Sequence, residues 1–252
     1  MSATWLRPLI VAGLIAGAAF QAAATGFVAT SFRTNSIHLL DAQLQPVSSF
    51  KVDDLAPNAV TADRSLIYAG FFTSSSVVAY NHQGVEQFRW WQPELFRVQG
   101  IALIGSWLAA ASDDMLYLYE AGSGQRLAQL VLEESVEGLA YDGQYLWSLG
   151  STLQARDVNT GAVVKSVPNA VFSRCDYGGT GISAGPAGQL VLGCDSGLWL
   201  RVSSLDGSVL AEGHNGLDMF DLAMLPAPEP STTALAALGG LLLAFVARRR
   251  RR

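Results

Sequence analysis

The segment Gln99-Gly100-Ile101-Ala102-Leu103 decides the fold, because four segments built like it occur elsewhere in the chain. In each of them a small or short residue precedes an apolar run with the pattern of a strand start. The other four are Asn58-Ala59-Val60-Thr61-Ala62, Glu137-Gly138-Leu139-Ala140-Tyr141, Thr180-Gly181-Ile182-Ser183-Ala184 and Phe220-Asp221-Leu222-Ala223-Met224. Successive segments are 41, 38, 43 and 40 residues apart. The central part of the chain is therefore an internal repeat.

Each repeat continues with three more short strands. In the unit that begins at Gln99, the apolar residues 107–111 are followed by the alternating residues 115–119 and a Gly-rich turn at 120–124. Gly, Asn and Asp between short apolar runs indicate hairpins. Between the two termini, the sequence has no long stretch with the periodicity of an amphipathic helix. Four strands in about 40 residues are typical of one β-propeller blade.

The two ends of the repeat region complement each other. Residues 27–32, 36–41 and 46–52 have the pattern of the last three strands of a blade, and residues 217–225 have the pattern of a first strand. Pairing them would complete a fifth blade and leave no free sheet edge. We therefore predict an all-β, five-bladed β-propeller over residues 25–225, closed by a split blade. An open β-solenoid or a β-sandwich remains the alternative.

Two turn sequences carry a resemblance to a known group of propellers. They are Leu116-Tyr117-Leu118-Tyr119-Glu120-Ala121-Gly122-Ser123-Gly124 and Arg156-Asp157-Val158-Asn159-Thr160-Gly161. Both resemble the repeats of quinoprotein-like bacterial propellers. This resemblance concerns the fold alone, and we expect no cofactor.

Residues 1–24 have the three parts of a signal peptide. Arg7 supplies positive charge, residues 9–20 form an apolar segment, and Ala22 and Ala24 place small residues before Thr25. An apolar segment of 12 residues is too short to span a bilayer comfortably. We expect signal peptidase to cleave before Thr25 after the export machinery has moved the chain out of the cytoplasm. An uncleaved anchor is the alternative.

The C-terminal residues 226–252 contain three elements in a fixed order. The motif Pro228-Glu229-Pro230 is followed by the uncharged residues 231–247, which predict a transmembrane helix. The chain then ends in a cluster of basic residues, namely Arg248, Arg249, Arg250, Arg251 and Arg252. Arginines directly after an apolar helix stay on the cytoplasmic side, so the domain lies outside.

This order of elements resembles the PEP-CTERM sorting signal. The resemblance implies recognition by exosortase, a membrane protease, and passage through the inner membrane. It also implies display at the cell surface or in the exopolysaccharide matrix of a Gram-negative bacterium. A plain tail anchor is the alternative.

Charge and cysteine content restrict the partners. Residues 25–226 hold 10 Lys and Arg against 20 Asp and Glu, which leaves a net charge of −10. Such a surface repels phosphate backbones and argues against nucleic acid as a partner. Cys175 and Cys194 are the only cysteines. In an oxidising compartment they could pair, and the sequence leaves open whether they do.

Candidate ligand-binding residues follow from the position of the innermost strands. In a propeller these strands start at the mouth of a central channel, where ligands often bind. The residues just before or near these starts are Asn58, Gln99, Glu137, Thr180, Phe220 and Asp218. They could hold a cation or a polar ligand, or they could line a water-filled funnel. The sequence has no Ser-His-Asp pattern and no metal-ligand spacing.

Three functions fit these observations. The first is a non-catalytic binding or scaffold protein at the surface or in the matrix, with extracellular polysaccharide as a partner. The second is a hydrolase or lyase with a channel site that uses Glu137, Asp176 or Asp218. The third is a purely structural matrix component.

Overall fold

The computed structural model describes residues 26–175 and 180–226. Several predicted features lie outside the described residues, namely the signal peptide and its cleavage site, the Pro228-Glu229-Pro230 motif, the transmembrane helix, the terminal arginines and Asp176. Among the described residues, no helix has the length and apolar character needed to cross a membrane.

The described residues form 20 strands and one 3₁₀ turn, at Pro186–Gly188. In chain order the strands are β1 (Phe27–Ser31), β2 (Ser36–Leu40), β3 (Pro46–Lys51), β4 (Pro57–Ala62), β5 (Leu66–Phe71), β6 (Ser76–Asn81), β7 (Glu86–Trp91), β8 (Val98–Ile104), β9 (Trp107–Ser112), β10 (Met115–Glu120), β11 (Arg126–Val131), β12 (Gly138–Tyr141), β13 (Tyr145–Leu149), β14 (Thr152–Asp157), β15 (Val163–Pro168), β16 (Gly181–Ala184), β17 (Gln189–Gly193), β18 (Leu198–Ser203), β19 (Val209–His214) and β20 (Asp221–Met224).

These strands form five four-stranded sheets, and each sheet is one propeller blade. Blade 1 has the order β20-β1-β2-β3, and blades 2 to 5 follow in chain order as β4–β7, β8–β11, β12–β15 and β16–β19. All pairs are antiparallel, as short hairpin connections require. In blades 2 to 5, the turn between the last two strands contains a glycine in the left-handed region, as at Gly124 (φ 69°) and Gly161 (φ 73°), and in blade 1 Leu44 takes this conformation (φ 64°).

The first strands of the blades surround a common axis. Each of β20, β4, β8, β12 and β16 contacts the next one, and β16 contacts β20 to close the ring. The predicted five-bladed, all-β propeller is therefore confirmed, and the solenoid and sandwich alternatives are excluded.

Blade 1 is built from both ends of the described chain. Strand β20 pairs with β1 in antiparallel register, with Phe27 opposite Met224 and Thr30 opposite Asp221. Outside the regular pairs, the Leu225 N–H donates to the Gly26 carbonyl at 2.9 Å. This pairing satisfies the edge of β1 that would otherwise be free to pair with another chain.

The apolar core lies between the blades. Side chains alternate along each middle strand, so one set faces the preceding blade and the other faces the following blade. In β6, Val78 and Tyr80 pack toward blade 1, and Val77 and Ala79 pack toward blade 3. The outermost strand carries mainly exposed residues, as in β3 and β11.

Small residues let the innermost strands approach each other closely. A Cβ atom placed on Gly100 would lie 2.6 Å from the Leu139 nitrogen and 2.7 Å from the Gly138 Cα, both of which belong to the next blade. A Cβ atom on Gly181 would lie 2.7 Å from the Asp221 Cα. The close approach of the innermost strands therefore requires glycine at positions 100 and 181.

The closing strand is shorter than its apolar pattern suggested. The sequence predicted a strand over residues 217–225, but β20 begins at Asp221. The preceding residues form a turn in which Gly216 has a φ of 74°. The Leu217 N–H donates to Asn215 Oδ1, and Asn215 Nδ2 donates to the Leu44 carbonyl. These local bonds compete with strand pairing.

Cys175 and Cys194 form a disulfide with a Cα–Cα distance of 5.6 Å. Cys175 lies in the connection between β15 and β16, and Cys194 directly follows β17. The bond therefore fastens the long connection into blade 5 to the blade itself. Closing a loop of 19 residues in this way stabilises the folded state by about 3 kcal/mol in the chain-entropy model.

The close approach at Gly100 gives the first prediction. Gly100→Ala should lower the free energy of unfolding by about 1–3 kcal/mol, because the new methyl group meets backbone that cannot move aside. The matched control is Gly122→Ala, since a Cβ atom at Gly122 has no atom within 4 Å. Chemical denaturation followed by tryptophan fluorescence measures both. Equal stability of the two variants would contradict the packing described above.

Candidate functional site

The mouth of the propeller is the end of the axis at which the five innermost strands begin. The predicted residues Asn58, Gln99, Glu137, Thr180, Phe220 and Asp218 all lie at this end, in or just before those strands. Three of them are largely buried: Asn58 and Thr180 are each 7 % exposed, and Gln99 is 8 % exposed. These three side chains do not line an open funnel, because they form hydrogen bonds with other groups of the protein.

Two of these buried side chains tie one blade to the next. Asn58 Nδ2 donates to the Val98 carbonyl at 2.9 Å, which joins blade 2 to blade 3. Thr180 Oγ1 donates to the Met219 carbonyl at 2.7 Å, which joins blade 5 to the closing segment. Their polar atoms satisfy backbone groups in the core, so these residues have a structural role.

Glu137 is the half-buried acidic group of the mouth. Gln99 Nε2 lies 3.3 Å from each of its carboxylate oxygens, and Gln99 Oε1 accepts a bond from the Asp113 N–H at 2.6 Å. Burial raises the pKa of Glu137, the Gln99 amide opposes the rise, and the negative charge of Asp113 adds to it. Glu137 thus holds its proton to a higher pH than an exposed glutamate.

Asp218 is held by blade 1. Its carboxylate accepts hydrogen bonds from the Ser31 hydroxyl and, at 2.8 Å, from the Arg33 N–H. Within the described residues, no hydrogen bond joins Asp218 to Glu137. The two predicted carboxylates therefore do not act as one hydrogen-bonded acidic pair.

A row of aromatic rings lies at the mouth. The sequence pattern predicted only Phe220 of this row. The rings of Phe220 and Phe32 lie 5.0 Å apart, and those of Phe32 and Phe72 lie 6.1 Å apart, measured between centroids. The Arg97 guanidinium lies over Phe72 at 5.4 Å and over Phe96 at 5.5 Å. We call Phe220, Phe32, Phe72, Arg97 and Phe96 the aromatic row.

The sequence held one signal for part of this row. Phe32 directly follows β1, and Phe72 directly follows β5, so both occupy the same position of the repeat. An apolar ring at a turn in two units is unusual, because turns usually carry Gly, Asn, Asp, Ser or Pro. Phe96 and Arg97 come from a connection between blades, where the repeat gives no guidance.

Below the mouth, Asp221 is the first residue of the innermost strand β20. It is fully buried and occupies the position of Gly100, Gly138 and Gly181 in the other repeats. Its Oδ2 accepts from the Val60 N–H at 2.8 Å, and its Oδ1 accepts from the Ile182 N–H at 3.4 Å. The closing strand is therefore hydrogen-bonded to both neighbouring innermost strands.

The opposite end of the axis contains a small cavity of about 150 Å³. All five innermost strands contribute to its wall, through residues that include Thr61, Leu103, Tyr141, Ser183 and Met224. The last described residue, Pro226, lines it too.

Among the comparisons with known proteins, one identifies the tail and none indicates an activity of the domain. Residues 226–252 match the model of the PEP-CTERM protein-sorting motif. No curated protein sequence matches the chain. Hydrazine synthase of Kuenenia stuttgartiensis is similar among solved structures, at 14 % identity and a TM-score of 0.47. The match covers 66 % of this chain and 51 % of that chain, so this chain spans about half its length.

The domain is a five-bladed β-propeller, and the C-terminal residues match a protein-sorting motif. PEP-CTERM proteins are secreted in Gram-negative bacteria and processed by exosortase. This chain is a propeller that carries such a sorting tail.

The buried carboxyl group of Asp221 gives a pH-dependent prediction. Burial raises its pKa well above the usual aspartate range, against the effect of backbone N–H donors from Val60, Leu222 and Ile182. A raised folded-state pKa means that the folded protein binds the proton more tightly. Its contribution to stability is therefore fully present below the unfolded-state pKa and is lost as pH rises toward the folded-state pKa.

We expect Asp221→Asn to be less stable than the wild type, by about 1–3 kcal/mol, because an amide cannot accept all three N–H groups. This difference should grow as the pH falls from about 8 to about 5, since only the wild type gains a proton. Asp206→Asn is the control, because Ser208 lowers the pKa of the exposed Asp206. Asp206 is therefore ionised in the folded and the unfolded chain throughout this pH range, and the effect of its substitution on stability should not change with pH there. A difference for Asp221→Asn that does not change with pH would contradict the assignment.

Proposed function

We propose that this protein acts at the cell surface or in the extracellular matrix as a non-catalytic binding or scaffold module. The sorting tail supports the destination. The aromatic row supports a binding role, and it is the single observation that carries this role. Extracellular polysaccharide is the proposed class of ligand.

The path to that destination involves both ends of the chain. We propose that residues 1–24 are a signal peptide, that signal peptidase cleaves between Ala24 and Thr25, and that the domain covers residues 25–225. Residues 231–247 then hold the precursor in the inner membrane, with Arg248 to Arg252 on the cytoplasmic side. Exosortase acts near Pro228-Glu229-Pro230 and releases the domain from this anchor.

The chemistry of the aromatic row suits a sugar chain. Aromatic faces bind the apolar faces of sugar rings, and contiguous rings can engage consecutive units. Phe96 is 59 % exposed, so part of its ring is accessible to a ligand. The domain as a whole carries a net charge of −10, which would repel an acidic polysaccharide. Attraction at the mouth would therefore depend on the local positive charge of the exposed Arg33 and Arg97.

An enzyme of the hydrolase or lyase kind is the second candidate, and one observation favours it. Burial raises the pKa of Glu137, which is how proteins adjust an acid–base group toward neutral pH. Turnover of a lactone or a polysaccharide that is lost in Glu137→Gln would identify an enzyme. Binding without turnover supports the scaffold role.

The sorting proposal predicts the fate of a motif variant. With a tag inserted after Thr25, the wild type should lose both termini and reach the surface or medium of its host. A variant with Ala at positions 228, 229 and 230 should stay in the inner membrane with its arginines, because exosortase no longer recognises it. Cell fractionation and intact mass measure both outcomes. If the wild type also keeps the arginine tail in the inner membrane, the protein is a tail-anchored one.

The binding proposal predicts the effect of two exposed side chains. Phe96→Ala and Arg97→Ala should each weaken binding to the acidic exopolysaccharide of the host about three- to tenfold, because each removes part of a stacking surface. Affinity electrophoresis of the full chain in detergent measures the retardation.

Trp107→Ala is the matched control for this experiment. Trp107 is 43 % exposed and begins β9 at the opposite end of the blade, so its loss should leave binding unchanged. Dextran serves as the neutral polymer. Equal retardation of all three variants and the wild type would remove the aromatic row as the binding surface.

A further inference from the structure

One core position is uncharged in four blades and charged in the fifth. The pairing of the third and fourth strands shifts register once in every blade, and this shift aligns the blades independently of sequence. The first residues after the shift are Leu40, Tyr80, Tyr119, Arg156 and Val202. All five are buried, and Arg156 is only 4 % exposed. Blade 4 therefore carries a guanidinium where the others carry core side chains.

The positive charge of Arg156 has no counter-charge in contact with it. Its Nη1 donates to the Gly161 carbonyl at 3.2 Å, and its Nη2 donates to Gln154 Oε1. Its Nε has no acceptor within the described residues. Both partners are neutral, and the carboxylates of Glu133 and Glu134 act on Arg156 only at a distance. An arginine is seldom buried without a paired anion, because burial removes the hydration of its charge.

A cavity of about 200 Å³ lies at this position, between blades 3 and 4. Its wall is mostly aliphatic, with Leu116, Leu118 and Leu130 from blade 3 and Leu146 and Val158 from blade 4. Arg156 is the one basic residue in this wall. The polar residues Gln129, Asn159 and Thr160 line the rest of it, with Asp157 as its one acidic residue. The Asp157 carboxylate accepts hydrogen bonds from Thr160, so the cavity combines a buried cation with a largely aliphatic wall.

We propose that this cavity binds a small carboxylate with an apolar body, and that Arg156 supplies its counter-ion. The carboxylate would accept hydrogen bonds from the guanidinium, in the charge-assisted geometry that arginine favours. The aliphatic side chains would cover the apolar body. Pockets for drug-sized ligands have about 300–1,000 Å³, so a short-chain acid fits this cavity and a polymer does not. The site is separate from the mouth and independent of its proposed function.

The experiment titrates the full chain in detergent with sodium pentanoate and compares it with sodium chloride, 1-pentanol and pentylamine by calorimetry. We expect saturable binding of pentanoate alone. Arg156→Leu installs the residue found at position 40 and should weaken pentanoate binding about tenfold or more. Without ligand it should unfold at the same temperature as the wild type or above it, since a buried unpaired charge is removed.

Arg201→Leu is the matched control, because Arg201 lies in the neighbouring blade, outside the cavity, and bonds to the Ala42 carbonyl. It should bind pentanoate like the wild type. The proposal is overturned if the wild type binds pentanoate no better than chloride or pentanol. It is equally overturned if Arg156→Leu binds pentanoate like the wild type.

Discussion

The pairing of β20 with β1 is the interaction on which the rest of the structure depends. A five-bladed ring built from one chain has two ends that must meet, and here they meet inside one sheet. Without this pairing, the edge of β1 would be free to pair with another chain. Asp221 strengthens the closure beyond the sheet itself, because its carboxylate reaches the backbone of blades 2 and 5. Blade 1 is thereby hydrogen-bonded to both of its neighbours, blades 2 and 5.

The small radius of the ring then decides where a ligand can bind. Glycines at positions 100, 138 and 181 bring the innermost strands into close contact, and the buried carboxyl group of Asp221 accepts N–H groups from the two strands beside it. Two of the polar residues expected to line a channel, Asn58 and Thr180, instead donate hydrogen bonds to backbone carbonyls of neighbouring segments. Binding surfaces are left to the rim of the mouth and to the grooves between blades.

Those two locations differ in chemistry. The rim carries the exposed ring of Phe96 beside three half-buried rings, and the Arg97 guanidinium lies over two of the four. This arrangement suits an extended ligand that lies on a surface. The cavity between blades 3 and 4 has a buried guanidinium in a mostly aliphatic wall, which suits a small ligand. Both devices use an arginine, and they differ because solvent hydrates Arg97 and does not hydrate Arg156.

The sequence by itself determined the repeat, the number of blades, the split blade and the sorting tail, because each depends on local order and spacing along the chain. It located Asn58, Gln99, Glu137, Thr180 and Asp218 at the mouth for the same reason. It misjudged the start of β20, where the Asn215 side chain and Gly216 outweigh an apolar pattern. Only the tertiary structure decided that Asn58 and Thr180 are structural and that Phe32, Phe72, Phe96 and Arg97 meet. It alone placed Arg156 in a core position without a counter-charge. These properties depend on which side chains from different blades come within a few ångströms of each other, and a repeat pattern contains no information about such neighbours.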